Sequence, residues 1–106
     1  GWSGYNIGVA SMAIAVEAAR LAMKNGSGPL TGERFKAGFE MLKNYNAEGM
    51  MPPITITAQD HQGGGMGIIS EWDGKQWAPK SDWAAAYQDV VWELIKEDQA
   101  KAKAKK

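Results

Sequence analysis

The chain has 106 residues, 44% of them hydrophobic and 23% charged, an ordinary globular mix that argues against a disordered tract. Twelve basic side chains balance twelve acidic ones, which removes the electrostatic reason to expect a nucleic-acid partner. There is no cysteine, so disulfides and thiolate metal sites are excluded.

The opening GWSGYNIG has no Met, basic n-region or apolar h-region, so it does not read as a signal peptide. It is expected to lie within a longer polypeptide. GVASMAIAVEAARLAMKNG then predicts a helix. From Val9 to Met23 its polar positions before Lys24 are Ser11, Glu17 and Arg20. Such a helix is apolar around most of its circumference and is expected to be buried on more than one side. No stretch reaches the ~20 uninterrupted apolar residues of a membrane span, and none is expected. Gly26 ends the helix, and Ser27-Gly28-Pro29 forms the loop.

LTGERFKAGFEMLKNYN predicts a second, one-faced surface helix. Thr31 is its N-cap, Glu33 lies in its first turn, and Phe35, Phe39 and Leu42 repeat along one face. The prolines of AEGMMPP forbid its continuation. ITITA predicts a strand, and MGIISEW a second one after QDHQGGG. Asp73-Gly74 marks a hairpin tip whose two central φ angles are positive, with a short strand returning over Gln76–Pro79. Ser81 or Asp82 is expected to cap a last helix striped by Tyr87, Val90, Val91, Leu94 and Ile95. The lysines of KAKAKK read as its solvated end, since no aromatic residue accompanies them. Two or three strands cannot cover so apolar a first helix, so the chain is expected either to oligomerise tightly or to belong to a larger protein.

The candidate chemistry centres on TITAQDHQGGGMG. Asp60 and the single histidine, His61, are adjacent, and neighbouring residues in an extended segment point to opposite faces. They therefore read as a loop pin rather than a base with its orienting acid. Asp60, His61, Glu71, Asp73 and Asp82 form a pool of metal ligands without recognised spacing, so no metal is expected. Gly63, Gly64 and Gly65 precede a predicted strand instead of a helix, which removes the phosphate-loop reading and leaves a bend. Trp72, Trp77 and Trp83 read as packing between hairpin and helix. Trp2, Tyr5 and Asn6 sit before a helix N-terminus, where they could line a cleft beside free backbone N–H groups. Neither catalysis nor a cofactor is expected.

The blocks GYNIGVASMAIAVEAARLA, LTGERFKAGFEMLKN, GMMPPITITAQDHQGGG and SEWDGKQWAPKSDW, in that order, run from Gly4 to Trp83. Their succession resembles the C-terminal part of periplasmic substrate-binding proteins of ABC importers, in the branched-chain amino acid (type I) group with its aromatic-acid relatives. The resemblance implies an α/β fold, namely the C-terminal portion of a two-lobed, three-layer α/β/α type I periplasmic-binding-protein fold. In that reading residues 1–53 are the helical part of one lobe, 54–80 carry strands and a hinge crossing, and 81–106 form the C-terminal helix. It further implies a periplasmic solute-binding component that captures an amino acid or carboxylate-type ligand between lobes. Tyr5 would lie at the cleft wall, with Trp2 and Asn6 beside it. Asp60, His61 and Gly63–Gly65 would hold and bend the hinge. The implied partners are the ligand, a membrane permease, and the rest of the parent chain or another copy. A small oligomeric interaction domain without ligand stands as the alternative.

Overall fold

Alanine and glycine, not the larger apolar residues, decide how the first two helices meet. The structure is a computed structural model that describes residues 3–105. It places α1 at Ser3–Lys24 and α2 at Gly32–Phe39. Ala18 and Ala22, one turn apart on α1, are both buried. They face Gly38 of α2, where an added Cβ would overlap the Ala18 carbonyl oxygen and come within 2.9 Å of the Ala22 methyl. The missing side chain is what lets the two backbones approach this closely.

Arg34 lies one turn before Gly38 on the same side of α2. Its Nη2 donates to the carbonyls of Ala22 and Gly26, each at 3.0 Å, and its Nη1 to those of Gly28 (2.6 Å) and Pro29 (2.7 Å). One guanidinium thus satisfies acceptors at the open end of α1 and along the loop that follows. Thr31 caps α2 as predicted, its hydroxyl accepting from the Arg34 amide at 3.2 Å.

Four sequence expectations change here. The helix α2 stops at Phe39, so Leu42 lies beyond it and is nonetheless fully buried. The face directed at α1 is Arg34–Gly38, because two phenyl rings would hold the helices apart; Phe35 and Phe39 are half-buried elsewhere on α2. The first helix is not enclosed. Tyr5, Met12, Val16 and Met23 recur at i, i+7, i+11 and i+18, a single stripe roughly 80–160° around the helix from Ala18 and Ala22, and all four are exposed. The span Gly4–Lys24 is also long and apolar enough to cross a membrane by length and composition, contrary to the expectation of no such segment. In its C-terminal half Glu17 pairs with Arg20.

ITITA is not a strand. Ile54 forms an isolated antiparallel bridge with Tyr45, at 3.0 and 2.9 Å. Thr55 N–H then turns to the Gly63 carbonyl (2.9 Å) and Ile56 N–H to the Leu42 carbonyl (3.0 Å). The β-branched residues suit an extended backbone, but a ladder needs a partner that stays in register. The neighbouring segment turns away at Asn44, whose φ is 50°. Further on, Ala47 (φ 49°), Glu48 (58°) and Gly49 (90°) form a short left-handed 3-10 turn.

The chain splits into two compact units, Gly1–Gly64 and Gly65–Lys106. In the second, MGIISEW divides between two ladders. β1 (Met66–Gly67) pairs with β4 (Ala84–Ala85), and β2 (Ser70–Trp72) with β3 (Trp77–Pro79), both antiparallel. Asp73 accepts from the amides of Lys75 (2.8 Å) and Gln76 (2.9 Å), and Gly74 alone takes a positive φ, 99°, at the predicted tip. Trp72 and Trp77 stand opposite each other, ring centroids 5.7 Å apart, as a cross-strand edge-on pair. Ser81 does not cap the last helix, because its hydroxyl accepts from the Ile69 amide at 2.9 Å. That helix, α3, runs Gln88–Ala104 behind a left-handed Tyr87 (φ 57°), and Val90 and Leu94 of its stripe are exposed.

Two two-stranded antiparallel ladders and three helices do not make the three-layer α/β/α sheet architecture implied by the resemblance. Among the described residues the strands are two or three residues long, and no parallel sheet is present. Among the described residues the buried apolar side chains are Ala18, Ala22, Leu42 and Ala47.

Candidate functional site

The loop between Thr57 and Gly63 is built by short polar side chains that take up its own backbone. Asp60 N–H donates to the Thr57 carbonyl (3.2 Å) and hydroxyl (3.0 Å), and Thr57 N–H donates back to the Asp60 carbonyl at 2.9 Å. The Asp60 carboxylate accepts from the amides of Gln62 (2.9 Å) and Gly63 (3.2 Å). This is an Asx-type turn, which commits Asp60 to the loop rather than to the imidazole beside it.

His61 turns instead to α2. Its Nε2–H donates to Glu40 Oε1 at 2.9 Å, and Lys36, one helical turn before Glu40, donates to the same oxygen. The two donors hold the Glu40 carboxyl below its usual range, the Lys36 hydrogen bond first and the His61 hydrogen bond second. Beside them lies an open groove of about 390 Å³ lined by Gly32, Phe35, Lys36, Phe39, Ile56 and His61. The two phenyl rings meet edge to face, centroids 4.8 Å apart at 83°. Four lining residues recur at i, i+3, i+4 and i+7 of α2, a face separate from the Arg34–Gly38 contact with α1.

The glycine triplet divides by role. Gly63 has φ 69°, and a Cβ there would stand 2.8 Å from Ile56 Cγ1; Gly65 has φ 119°, and a Cβ would collide with the Gln88 amide. Gln88 Nε2 also donates to the Gly65 carbonyl, at 3.4 Å. A Cβ at Gly64 would meet only the Gln62 carbonyl oxygen, at 3.9 Å, and its φ is not positive. The division between the two compact units falls between Gly64 and Gly65.

The expected cleft residues lie elsewhere. Tyr5 is 70% exposed on the first turns of α1, and the concavity beside it, about 430 Å³, is lined by Gly4, Tyr5, Gly8, Val9 and Met12 of that helix alone. Asn6 is exposed, and Trp2 lies outside the described residues. Among the described residues no three of His, Asp and Glu come together as a metal-ligand set. Sequence reasoning missed Glu40, Lys36 and the two phenylalanines as a group. The Lys36–Glu40 spacing was visible, but its link to His61 bridges 21 positions and left no local mark.

No family model matches the chain, and no curated protein does. One solved structure is similar to it, described as the crystal structure of an ABC transporter permease from the Pseudomonas fluorescens group, with 37% sequence identity and a TM-score of 0.73. The likeness covers 92% of this chain and 26% of that chain, so this chain spans about a quarter of the length of its relative. It is thus similar to a component of an ABC transporter. The matching protein carries the description of a permease, which overturns the solute-binding function, the type I binding-protein identity and the periplasmic location that went with them.

Proposed function

We propose that this chain is a segment of a permease-type component of an ABC transporter and works at the membrane as a non-catalytic part of that assembly. The observation that carries the proposal is the 37% identity maintained over 92% of the chain with a TM-score of 0.73. The long apolar α1, with its exposed Tyr5–Met12–Val16–Met23 stripe, agrees with it, since such a face needs lipid or protein against it. The partners of this reading are the remaining parts of the transporter.

Within the segment we assign Gly63–Gly65 a hinge role, with Asp60 and His61 securing the loop that leads into it. Loop residues that absorb large φ/ψ changes are the usual material of hinges. The support is the position of the triplet at the division of the chain and the positive φ at two of its three members. Fractionation of cells producing the protein at native level is the direct test of location. Recovery in the membrane pellet after an alkaline wash is expected, and quantitative recovery in the soluble fraction overturns the proposal.

A further inference from the structure

The turn that follows α1 leaves one backbone donor without an acceptor. Asn25 N–H still continues the helix, donating to the Leu21 carbonyl at 3.1 Å. The next acceptor in that series is the Ala22 carbonyl, which the repeating i→i−4 pattern would give to Gly26. Arg34 Nη2 takes it instead, at 3.0 Å. Among the described residues Gly26 N–H then has no hydrogen-bond acceptor. Asn25 and Gly26 are both exposed, and no hydrogen bond among the described residues holds the Asn25 carboxamide. An electrophilic carbonyl and a free amide nitrogen thus stand next to each other in the chain, with no Cβ on Gly26 to shield the nitrogen.

Other sites in the chain lack part of this arrangement. Asp73-Gly74 has the glycine, but the Asp73 carboxylate is committed to the amides of Lys75 and Gln76, at 2.8 and 2.9 Å. Asn44 precedes Tyr45, whose N–H is bonded to the Ile54 carbonyl at 3.0 Å, and Asn6 lies inside α1. We infer that Asn25 is a site of spontaneous deamidation through a cyclic imide with Gly26. The Gly26 nitrogen attacks Asn25 Cγ, the N–Cγ bond forms, the Cγ–Nδ2 bond breaks, and ammonia leaves with the proton from Gly26. Water then opens the imide at either carbonyl, giving an aspartyl residue or an isoaspartyl one whose backbone runs through Cγ. Both products carry a carboxylate where a neutral amide stood. The receiving group is Arg34, whose two Nη atoms donate to four backbone carbonyls and which has no carboxylate partner among the described residues. A Cβ on Gly26 would lie 3.5 Å from its Nη2, so the new charge arises beside the guanidinium. A charge-assisted bond outcompetes a neutral carbonyl, and the clasp between the end of α1 and α2 loosens. The inference stands on this turn alone and does not require the transporter assignment.

The test holds the purified 106-residue protein at neutral pH and physiological temperature and follows each asparagine by peptide mass spectrometry, with fragmentation that separates aspartyl from isoaspartyl products. Conversion at Asn25 should outrun that at Asn6, Asn44 and Asn46 by about tenfold or more. Gly26→Ala adds a methyl in ordinary contact with the Arg34 side chain, so it should keep the fold and slow conversion about tenfold. Asn25→Asp makes the aspartyl product directly and should shift the Arg34 Nε–H resonance while the indole signals of Trp72 and Trp77 stay in place. Equal rates at all four asparagines, or an unchanged rate in Gly26→Ala, overturns the site. An unmoved Arg34 resonance in Asn25→Asp overturns the consequence drawn from it.

Discussion

His61 Nε2 lies 2.9 Å from Glu40 Oε1 and so ties the 57–63 loop to the end of α2. The pair is exposed at its histidine end, and an exposed hydrogen bond of this kind contributes little to stability. His61→Ala should lower the melting temperature only slightly while raising amide exchange from Thr57 to Gly63 at least severalfold. Glu40 makes a second expectation. Its carboxyl is held below the ordinary 4.5, by Lys36 first and His61 second, so its contribution is complete above about pH 4.5 and is lost as pH falls through the lowered value. His61→Ala removes one cause of the depression and moves that loss to higher pH, which a Glu40 carboxyl titration by NMR reads directly.

The glycine triplet predicts a sharp ordering among three single substitutions. Gly63→Ala and Gly65→Ala place a Cβ on a left-handed backbone and against Ile56 or Gln88, and each should cost about 1–3 kcal/mol. Gly64→Ala meets nothing closer than 3.9 Å and should be neutral or slightly stabilising. Denaturant unfolding of the three variants checks the order. Equal effects at all three positions would remove the conformational basis of the hinge assignment.

Gly38→Ala isolates the helix contact. Alanine favours a helix by about 1 kcal/mol over glycine, so an exposed site would gain stability. Here the new methyl overlaps the Ala18 carbonyl and crowds Ala22, and overpacking of this kind costs about 1–3 kcal/mol. A net loss of stability is expected in thermal unfolding, accompanied by shift changes at Ala18 and Ala22.

Glu48 offers the opposite sign. It is exposed with φ 58°, a conformation that costs an L-residue about 1–2 kcal/mol. Glu48→Gly should therefore raise the melting temperature by a few degrees. A fall would mean that the Glu48 side chain stabilises the turn.

The parts of the fold legible in the sequence were those written in local chemistry. Thr31 as a cap, the stop after α1, the Asp73-Gly74 tip and the returning strand all depend on residues within a few positions of one another. ITITA misled because its β-branched residues report an extended backbone and say nothing about a continuous partner. MGIISEW misled because one apolar run was shared between two ladders. The last helix began later than predicted because Ala84–Ala85 pair as a strand with Met66–Gly67 and the Ser81 hydroxyl accepts from the Ile69 amide. At the site, Asp60, His61 and the glycines stood out in the sequence. The groove did not: Phe35 and Phe39 read as the apolar face of a surface helix, whereas the contact with α1 is made by Gly38 and Arg34. The family resemblance pointed to the solute-binding component of an ABC importer, whereas the similar solved structure is described as an ABC transporter permease.

The central claim is membership of a transporter's permease component. It is tested most directly by solubilising membranes from cells that make the protein at native level, isolating it, and measuring ATP hydrolysis and subunit content in the isolate. The account predicts a stable complex containing an ATP-hydrolysing subunit in fixed stoichiometry. Recovery of the protein free of any such subunit, from membranes in which the subunit is present, would contradict it.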